Sequence, residues 1–361
     1  MAPVPVPRLA FAPGLERAPK TGGWTMSMHR RGGALSRSLF LLSVVVTLGM
    51  GAPAHAGSWV HGIHVGSSGA RGYQLWVPTG YQPGTPRPLL VALHGCLQNP
   101  DQFAGLTRLN EKADAEGFLV LYPNQAMFVN ATQCWNFMLG TNMERGQGEP
   151  ALIVGMVDAV KQQYAVDARR VYVGGVSAGG VLTGTLMACY SDVFAAGMVG
   201  AGAMYKAATT VSGTAFAMLF GSIYSPDDRG KDAWTCSGRP RRTVPVLVMH
   251  GSEDSVVNPL NGEQAMKQFL QTSDYGDDGV ANDSVRGTPT STATFRAAGG
   301  RDYTVKNYVY GGELVGQKLE VRGMDHAWPG GDSRYPFADP SGPDATTLMW
   351  DFFKQHALDA P

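Results

Sequence analysis

From about residue 72 the chain alternates short continuous apolar runs with stretches of helical spacing. Tyr73 to Val77 reads as an early strand, and Pro88 to Leu93 as an unbroken apolar run, the pattern of a strand buried on both faces. Asn99-Pro100-Asp101 predicts a helix start, with Asn99 as N-cap and Pro100 at the first helical position. Phe103, Leu106 and Ala113 then fall on one face of that helix. Phe118 to Tyr122 is the next strand, followed by a long loop from Pro123 to Gly148. Glu149 to Tyr164 carries Leu152, Met156, Val160 and Tyr164 at four-residue spacing, which predicts a helix. Arg170 to Val173 is a strand and Ala178 to Tyr190 a helix. Ala195 to Gly200 and Val244 to His250 are further buried strands, and Asn261 to Gln271 is helical. Tyr303 to Tyr310 and Lys318 to Val321 are expected as the last strands. Asp344 to Leu358 is expected as a closing helix with Leu348, Phe352 and Phe353 inward. Two stretches break the rhythm. Lys206 to Arg242 reads as an insertion over the sheet's upper edge, and Gly276 to Gly300 as irregular and polar. Strands alternating with helices in this way predict an α/β fold with a doubly wound, mostly parallel sheet.

The N-terminal part differs in kind. Residues 1–27 are rich in proline and arginine without apolar periodicity, and are expected to be an upstream extension or a mis-assigned start. Residues 28–56 carry Arg30, Arg31 and Arg37, the apolar run Leu39 to Met50, and Ala54-His55-Ala56. A basic stretch, an apolar stretch too short to span a bilayer and an Ala-x-Ala site describe a signal peptide cut after Ala56, not a stable membrane anchor. Residues 57–361 then suit a single α/β domain. Over the whole chain 29 lysines and arginines balance 29 aspartates and glutamates, so nothing marks a nucleic-acid surface or a polybasic membrane patch. The 4 cysteines all lie in the exported part, where an even count favours two disulfides. Their spacing fits no zinc site, and no metal or cofactor is expected.

The chemistry centres on Val171-Tyr172-Val173-Gly174-Gly175-Val176-Ser177-Ala178-Gly179-Gly180. A strand ends in Gly-Val-Ser-Ala-Gly and a helix follows at once, which is how a nucleophile elbow reads. A serine hydroxyl needs a base to take its proton, and on sheets of this kind the partners follow in the order serine, acid, histidine. After Ser177 remain His250, His326 and His356. His356 falls in the closing helix and His250 ends a buried strand before Gly251, so both read as structural. His326 lies in Gly323-Met324-Asp325-His326-Ala327-Trp328-Pro329-Gly330-Gly331, a loop just after the last strand, where a base belongs. The acid is expected after Val244 to His250, at Glu253 or Asp254. Asp254 is preferred because Val256 and Val257 anchor its loop, and Asp325 is a rival by position. Two backbone N–H groups are needed for an oxyanion: Ala178, after the nucleophile, and Cys96, in the loop His94-Gly95-Cys96-Leu97-Gln98. His94 braces that loop and transfers no proton. Cys96 and Cys134 sit in loops after neighbouring strands and are expected to pair, leaving Cys189 with Cys236. Trp135 and Trp328 are expected to line the cleft as substrate-binding aromatics.

With these residues in place, the chain resembles the polyhydroxybutyrate depolymerase family of α/β-hydrolase esterases, near the feruloyl and acetylxylan esterases. The resemblance covers most of residues 72–331. It rests on Leu93-His94-Gly95-Cys96, Cys134-Trp135-Asn136, Arg145-Gly146-Gln147-Gly148-Glu149-Pro150, the elbow, His250-Gly251 with Asp254 and Val257, and His326-Ala327-Trp328. It implies an α/β-hydrolase fold, Ser177 as nucleophile, Asp254 as acid, His326 as base and Cys96 at the oxyanion hole. Phe137, where a second tryptophan is usual, and Asp325, where glycine commonly precedes the histidine, depart from the pattern. Many secreted polymer-degrading members carry a linker and a polymer-binding domain, and neither is read here. The expectation is therefore a secreted serine esterase, extracellular or periplasmic, acting on a polyester of the hydroxybutyrate type, its oligomers or a small ester. A feruloyl or acetylxylan esterase, and a non-catalytic binding protein on the same fold, are the alternatives. The oligomeric state is not legible.

Overall fold

A computed structural model describes residues 57–359. The expected signal peptide and everything before it lie outside the described residues. Ten strands form one sheet: β1 (Ser58–Gly66), β2 (Gly69–Val77), β3 (Arg87–Leu93), β4 (Leu119–Pro123), β5 (Val166–Val176), β6 (Ala196–Gly200), β7 (Val246–Gly251), β8 (Ser291–Arg296), β9 (Asp302–Tyr310) and β10 (Glu313–Val321). Their spatial order is β1-β2-β4-β3-β5-β6-β7-β10-β9-β8. The centre, from β4 through β3, β5, β6 and β7 to β10, is parallel. Antiparallel pairs close both edges. A small second sheet pairs β11 (Trp328–Pro329) with β12 (Ala338–Asp339).

The apolar runs form central strands because both faces of those strands are covered. Leu89, Val91 and Leu93 face one core with Leu119, Leu121, Val171 and Val173. That core is closed by α3 (Gly148–Gln163), α4 (Ala178–Cys189), α6 (Pro226–Cys236) and α7 (Leu260–Asp278). Leu90, Ala92, Val120, Tyr122 and Tyr172 face the other, closed by α1 (Pro100–Thr107), α2 (Leu109–Glu116) and α8 (Ala345–Phe353). The period-2 alternation of a strand thus feeds two cores, the doubly wound arrangement that the apolar pattern predicts.

Several elements differ from expectation. The helix begun by Asn99 has its capping box, with Asn99 Oδ1 accepting from the Gln102 N–H and Gln102 Oε1 from the Asn99 N–H. It breaks at Arg108, whose left-handed φ of 52° separates α1 from α2. The closing helix stops at Phe353 and begins after Asp344, which caps the Thr347 N–H. Residues 206–242 hold α5 (Val211–Phe220) and α6. The stretch expected to be irregular contains the last three residues of α7 and the edge strand β8, whose residues are all exposed.

Candidate active site

Ser177 stands between β5 and α4 with φ 57° and ψ −122°, a conformation that costs a non-glycine residue about 1–3 kcal/mol. The surroundings hold it there. The Ser177 N–H donates to Gly200 O at 2.9 Å, and its carbonyl accepts from the Val181 N–H at 3.0 Å. A methyl group on Gly179 would lie 2.2 Å from the Leu93 carbonyl oxygen, so the helix can cross behind the serine this closely only with glycine at that position.

The loop after β3 runs alongside. A methyl group on Gly95 would sit 3.4 Å from Ser177 Cβ, which places the Cys96 amide beside the serine. Among the described residues neither the Cys96 nor the Ala178 N–H meets an acceptor. Every neighbour of this loop is tied down. His94 Nε2 accepts from the Gln125 N–H at 3.1 Å, so the proton sits on Nδ1 and is donated to Gly95 O at 2.8 Å. Burial lowers the His94 pKa to about 4, against the weaker upward pull of its bond to Gly95. The ring therefore stays neutral as a brace. Cys96 is disulfide-bonded to Cys134, Cα to Cα 4.2 Å, and the Leu97 N–H donates to Thr132 O. Cys189 and Cys236 form the second disulfide, which joins α4 to α6.

Asp254 and His326 come together across 72 residues of sequence, with His326 Nδ1 2.8 Å from Asp254 Oδ2. The other carboxylate oxygen accepts from the Val256 and Val257 N–H groups at 3.0 and 2.8 Å. Burial pushes this carboxyl up, but hydrogen bonds from His250, His326 and the Val257 N–H outweigh it and hold it well below the usual carboxylate range. Of the rival acids, Glu253 is exposed. Asp325 binds the Ser255 N–H and hydroxyl, both at 2.8 Å, and so ties the acid's loop to the histidine's. His356 lies just past α8, buried. His250, expected to be structural, has its Nε2 2.8 Å from Val257 O and 3.3 Å from Asp254 Oδ2. Facing two acceptors, that nitrogen carries a proton and steadies the carboxylate.

Ser177 lies where two adjoining cavities meet. One is lined by Phe137, Met138, Met143, Met204 and Val257, the other by Leu97, Val256, His326 and Phe337. Cys96, Ser177 and Met218 border both. Neither Trp135 nor Trp328 lines them. Trp135 is fully buried, its Nε1–H donated to His94 O at 2.9 Å. Trp328 is 2% exposed, packed edge-on to Phe103. The expected substrate contact at these two residues is corrected: their loops turn the indoles inward because each has a partner there. Methionines, Phe137 and Phe337 line the two cavities instead.

Sequence reasoning also passed over Glu149 as an individual residue, although it sits in one of the quoted motifs. Its buried carboxylate accepts from Gln125 Nε2 at 2.6 Å and from the Asn136 backbone and side-chain N–H groups, both at 2.7 Å. Arg71 Nη2 lies 3.4 Å away. This one group thus fixes the segment that carries Cys134 and Trp135 against the Cys96 loop.

The family model described as esterase PHB depolymerase matches residues 71–288. Poly(3-hydroxyalkanoate) depolymerase C of Paucimonas lemoignei is 33% identical over 258 residues, covering 70% of this chain and 57% of that protein's length. Feruloyl esterase B of Thermothelomyces thermophilus is 33% identical over 205 residues, covering 54% and 69%. Among solved structures, an acetyl xylan esterase from Aspergillus awamori superposes with a TM-score of 0.63 at 22% identity, over 82% of this chain and 99% of that one. That likeness is one of fold, the α/β-hydrolase fold.

Proposed function

The chain belongs to the esterase PHB depolymerase family, and on that premise we propose that it is an exported serine esterase that cleaves carboxylic esters through an acyl-enzyme. In this reading Ser177 Oγ attacks the ester carbonyl while His326 takes its proton. With Nδ1 committed to Asp254, Nε2 is the nitrogen left for that transfer. The tetrahedral oxyanion is held by the Cys96 and Ala178 N–H groups. Its collapse breaks the ester C–O bond, and His326 returns the proton to the departing alcohol. Water, deprotonated by His326, then attacks the acyl carbon. The acid leaves, and Ser177 regains its proton.

The observation that carries the proposal is the Asp254–His326 pair opening on the same cleft as a serine held at φ 57°. The apolar lining of that cleft favours an aliphatic acyl chain, as in a hydroxyalkanoate polyester or its oligomers, over a sugar with its many hydroxyls. Two disulfides fit an oxidising compartment, and no described helix is long and apolar enough to cross a membrane.

The test is Ser177→Ala, assayed on p-nitrophenyl butyrate, hydroxybutyrate oligomers and feruloylated sugar. The expected loss of kcat is on the order of 10⁴-fold or more, because nucleophile and base act as a unit. Undiminished turnover by the purified variant would refute the mechanism. A preference of the native enzyme for feruloylated sugar would refute the substrate class.

A further inference from the structure

An ordinary surface helix buries an apolar stripe and shows water a polar face. Helix α5, Val-Ser-Gly-Thr-Ala-Phe-Ala-Met-Leu-Phe, does not: it contains no charged residue. Its inner face, Thr214, Ala217 and Met218, lines the cavity beside Ser177. On its outer face Phe216, Leu219 and Phe220 are 49%, 52% and 61% exposed, and Ile223 just beyond the helix is 76% exposed. The two phenylalanine rings lie 5.0 Å apart and present a joint surface.

This face is held rigidly. Asn258 donates its backbone N–H to Met218 O at 2.7 Å and its side-chain N–H to Leu219 O at 3.1 Å. Asn261 Nδ2 donates to Ala217 O at 2.7 Å. Thr210 caps the first turn. The carbonyls that a free C-terminal turn would leave to water are thus bound by the residues that follow the Asp254 loop. The helix itself borders the cleft, since Met218 on its inner face lines both cavities, and Val256, an exposed residue lining one of them, lies two residues before Asn258.

We propose that the outer face of α5 is an adsorption surface for solid polyester, which sets the cleft against the polymer. The proposal rests on the polyester reading of the active site. A large apolar surface fixed beside a catalytic cleft matches a ligand that is itself an extended apolar solid bearing esters. A second copy of the chain seated on α5 would crowd the mouth through which the substrate must pass. An anionic bilayer would find no lysine or arginine on this helix.

The test is Phe216→Ser/Leu219→Ser/Phe220→Ser, none of which lines either cavity at Ser177. Adsorption to poly(3-hydroxybutyrate) film is read by depletion from solution, alongside film hydrolysis, p-nitrophenyl butyrate turnover and sedimentation. Native protein should bind the film. The variant should lose at least about tenfold in film binding and film hydrolysis, with kcat/KM on the soluble ester within about twofold. If the triple variant fails to fold, Leu219→Gln and Phe220→Gln carry the same test singly, each with about a threefold loss on film. Equal film binding by native and variant protein overturns the proposal. So does a native dimer that the variant splits, or native binding to phosphatidylglycerol vesicles that matches binding to film. Native protein that cleaves feruloylated sugar but neither binds nor erodes film overturns the polyester reading itself.

Discussion

Acid should destabilise this fold through a buried histidine whose ring makes no hydrogen bond among the described residues, and one substitution isolates the effect. His356 lies against Phe352, ring centroids 4.7 Å apart, with its Nε2 buried and without a partner among the described residues. Burial, and secondarily the nearby Arg242 charge, lowers its pKa from 6.5 to about 4. The unfolded chain therefore binds a proton that the folded chain refuses throughout that window. Stability from this residue is complete above pH 6.5 and is lost as the pH falls toward 4. With those two values, linkage gives a loss of about 2 kcal/mol by pH 5 and about 3 kcal/mol by pH 4. Against a typical total of about 5–15 kcal/mol this is a large share. Carboxylates such as Asp254, whose pKa is depressed from 3.8, add their own loss only below that value and do not confuse the window. His356→Phe removes the titrating group, breaks no hydrogen bond made by the ring and keeps the aromatic contact. Urea unfolding with disulfides intact, at half-unit steps from pH 8 to 4.5, is the assay. The variant should match or exceed the native protein at pH 8, and its stability should fall less by about 2 kcal/mol at pH 5. Parallel curves across pH 6.5 to 4.5 would refute the argument that burial keeps His356 neutral. A variant less stable at pH 8 would refute the claim that its ring makes no useful bond.

Trp328→Ala should cost about 3–5 kcal/mol of stability, as truncation of a buried aromatic does. It should change KM for a two-carbon and an oligomeric ester by the same factor; a selective rise for the oligomer would return this residue to the cleft. Glu149→Gln should lower stability by roughly 3 kcal/mol, because three short bonds converge on a carboxylate that the amide cannot fully replace. It should also lower kcat more than it raises KM, since the segment bonded to the Cys96 loop loosens. A melting temperature unchanged from native would dismiss the role given to Glu149.

How far the sequence reached depends on how local each signal was. The central strands were legible because burial on both faces writes itself as an unbroken apolar run, as in Leu89 to Leu93. The edge strands β1 and β8 were not, because half-exposed or fully exposed residues carry no such run. The break at Arg108 has no glycine or proline to announce it. Chain order together with loop position singled out Asp254 and His326 as partners, and they stand 2.8 Å apart. The inward turn of Trp135 was illegible, since an indole in a loop reads alike whether it meets a ligand or the carbonyl of His94, which lies 41 residues away. The bond network of Glu149 and the contact of His250 with Asp254 are likewise products of tertiary approach. The outer face of α5 is visible as letters within the expected insertion 206–242, but only the structure shows that Phe216, Leu219 and Phe220 are left about half exposed or more.

The parallel centre of the sheet has a consequence for the order in which this molecule matures. Parallel neighbours need long crossovers, and closing long loops before their contacts form makes such assembly slow. Ser177 belongs to β5 and its helix, but Asp254 follows β7, and His326 follows β10, which joins the sheet by docking on β7. A chain halted after β6 would own Ser177 in its turn and a disulfide-braced loop, but neither Asp254 nor His326. Recovery of turnover during refolding should thus trail the return of helical signal, and it times the docking of the last parallel strand.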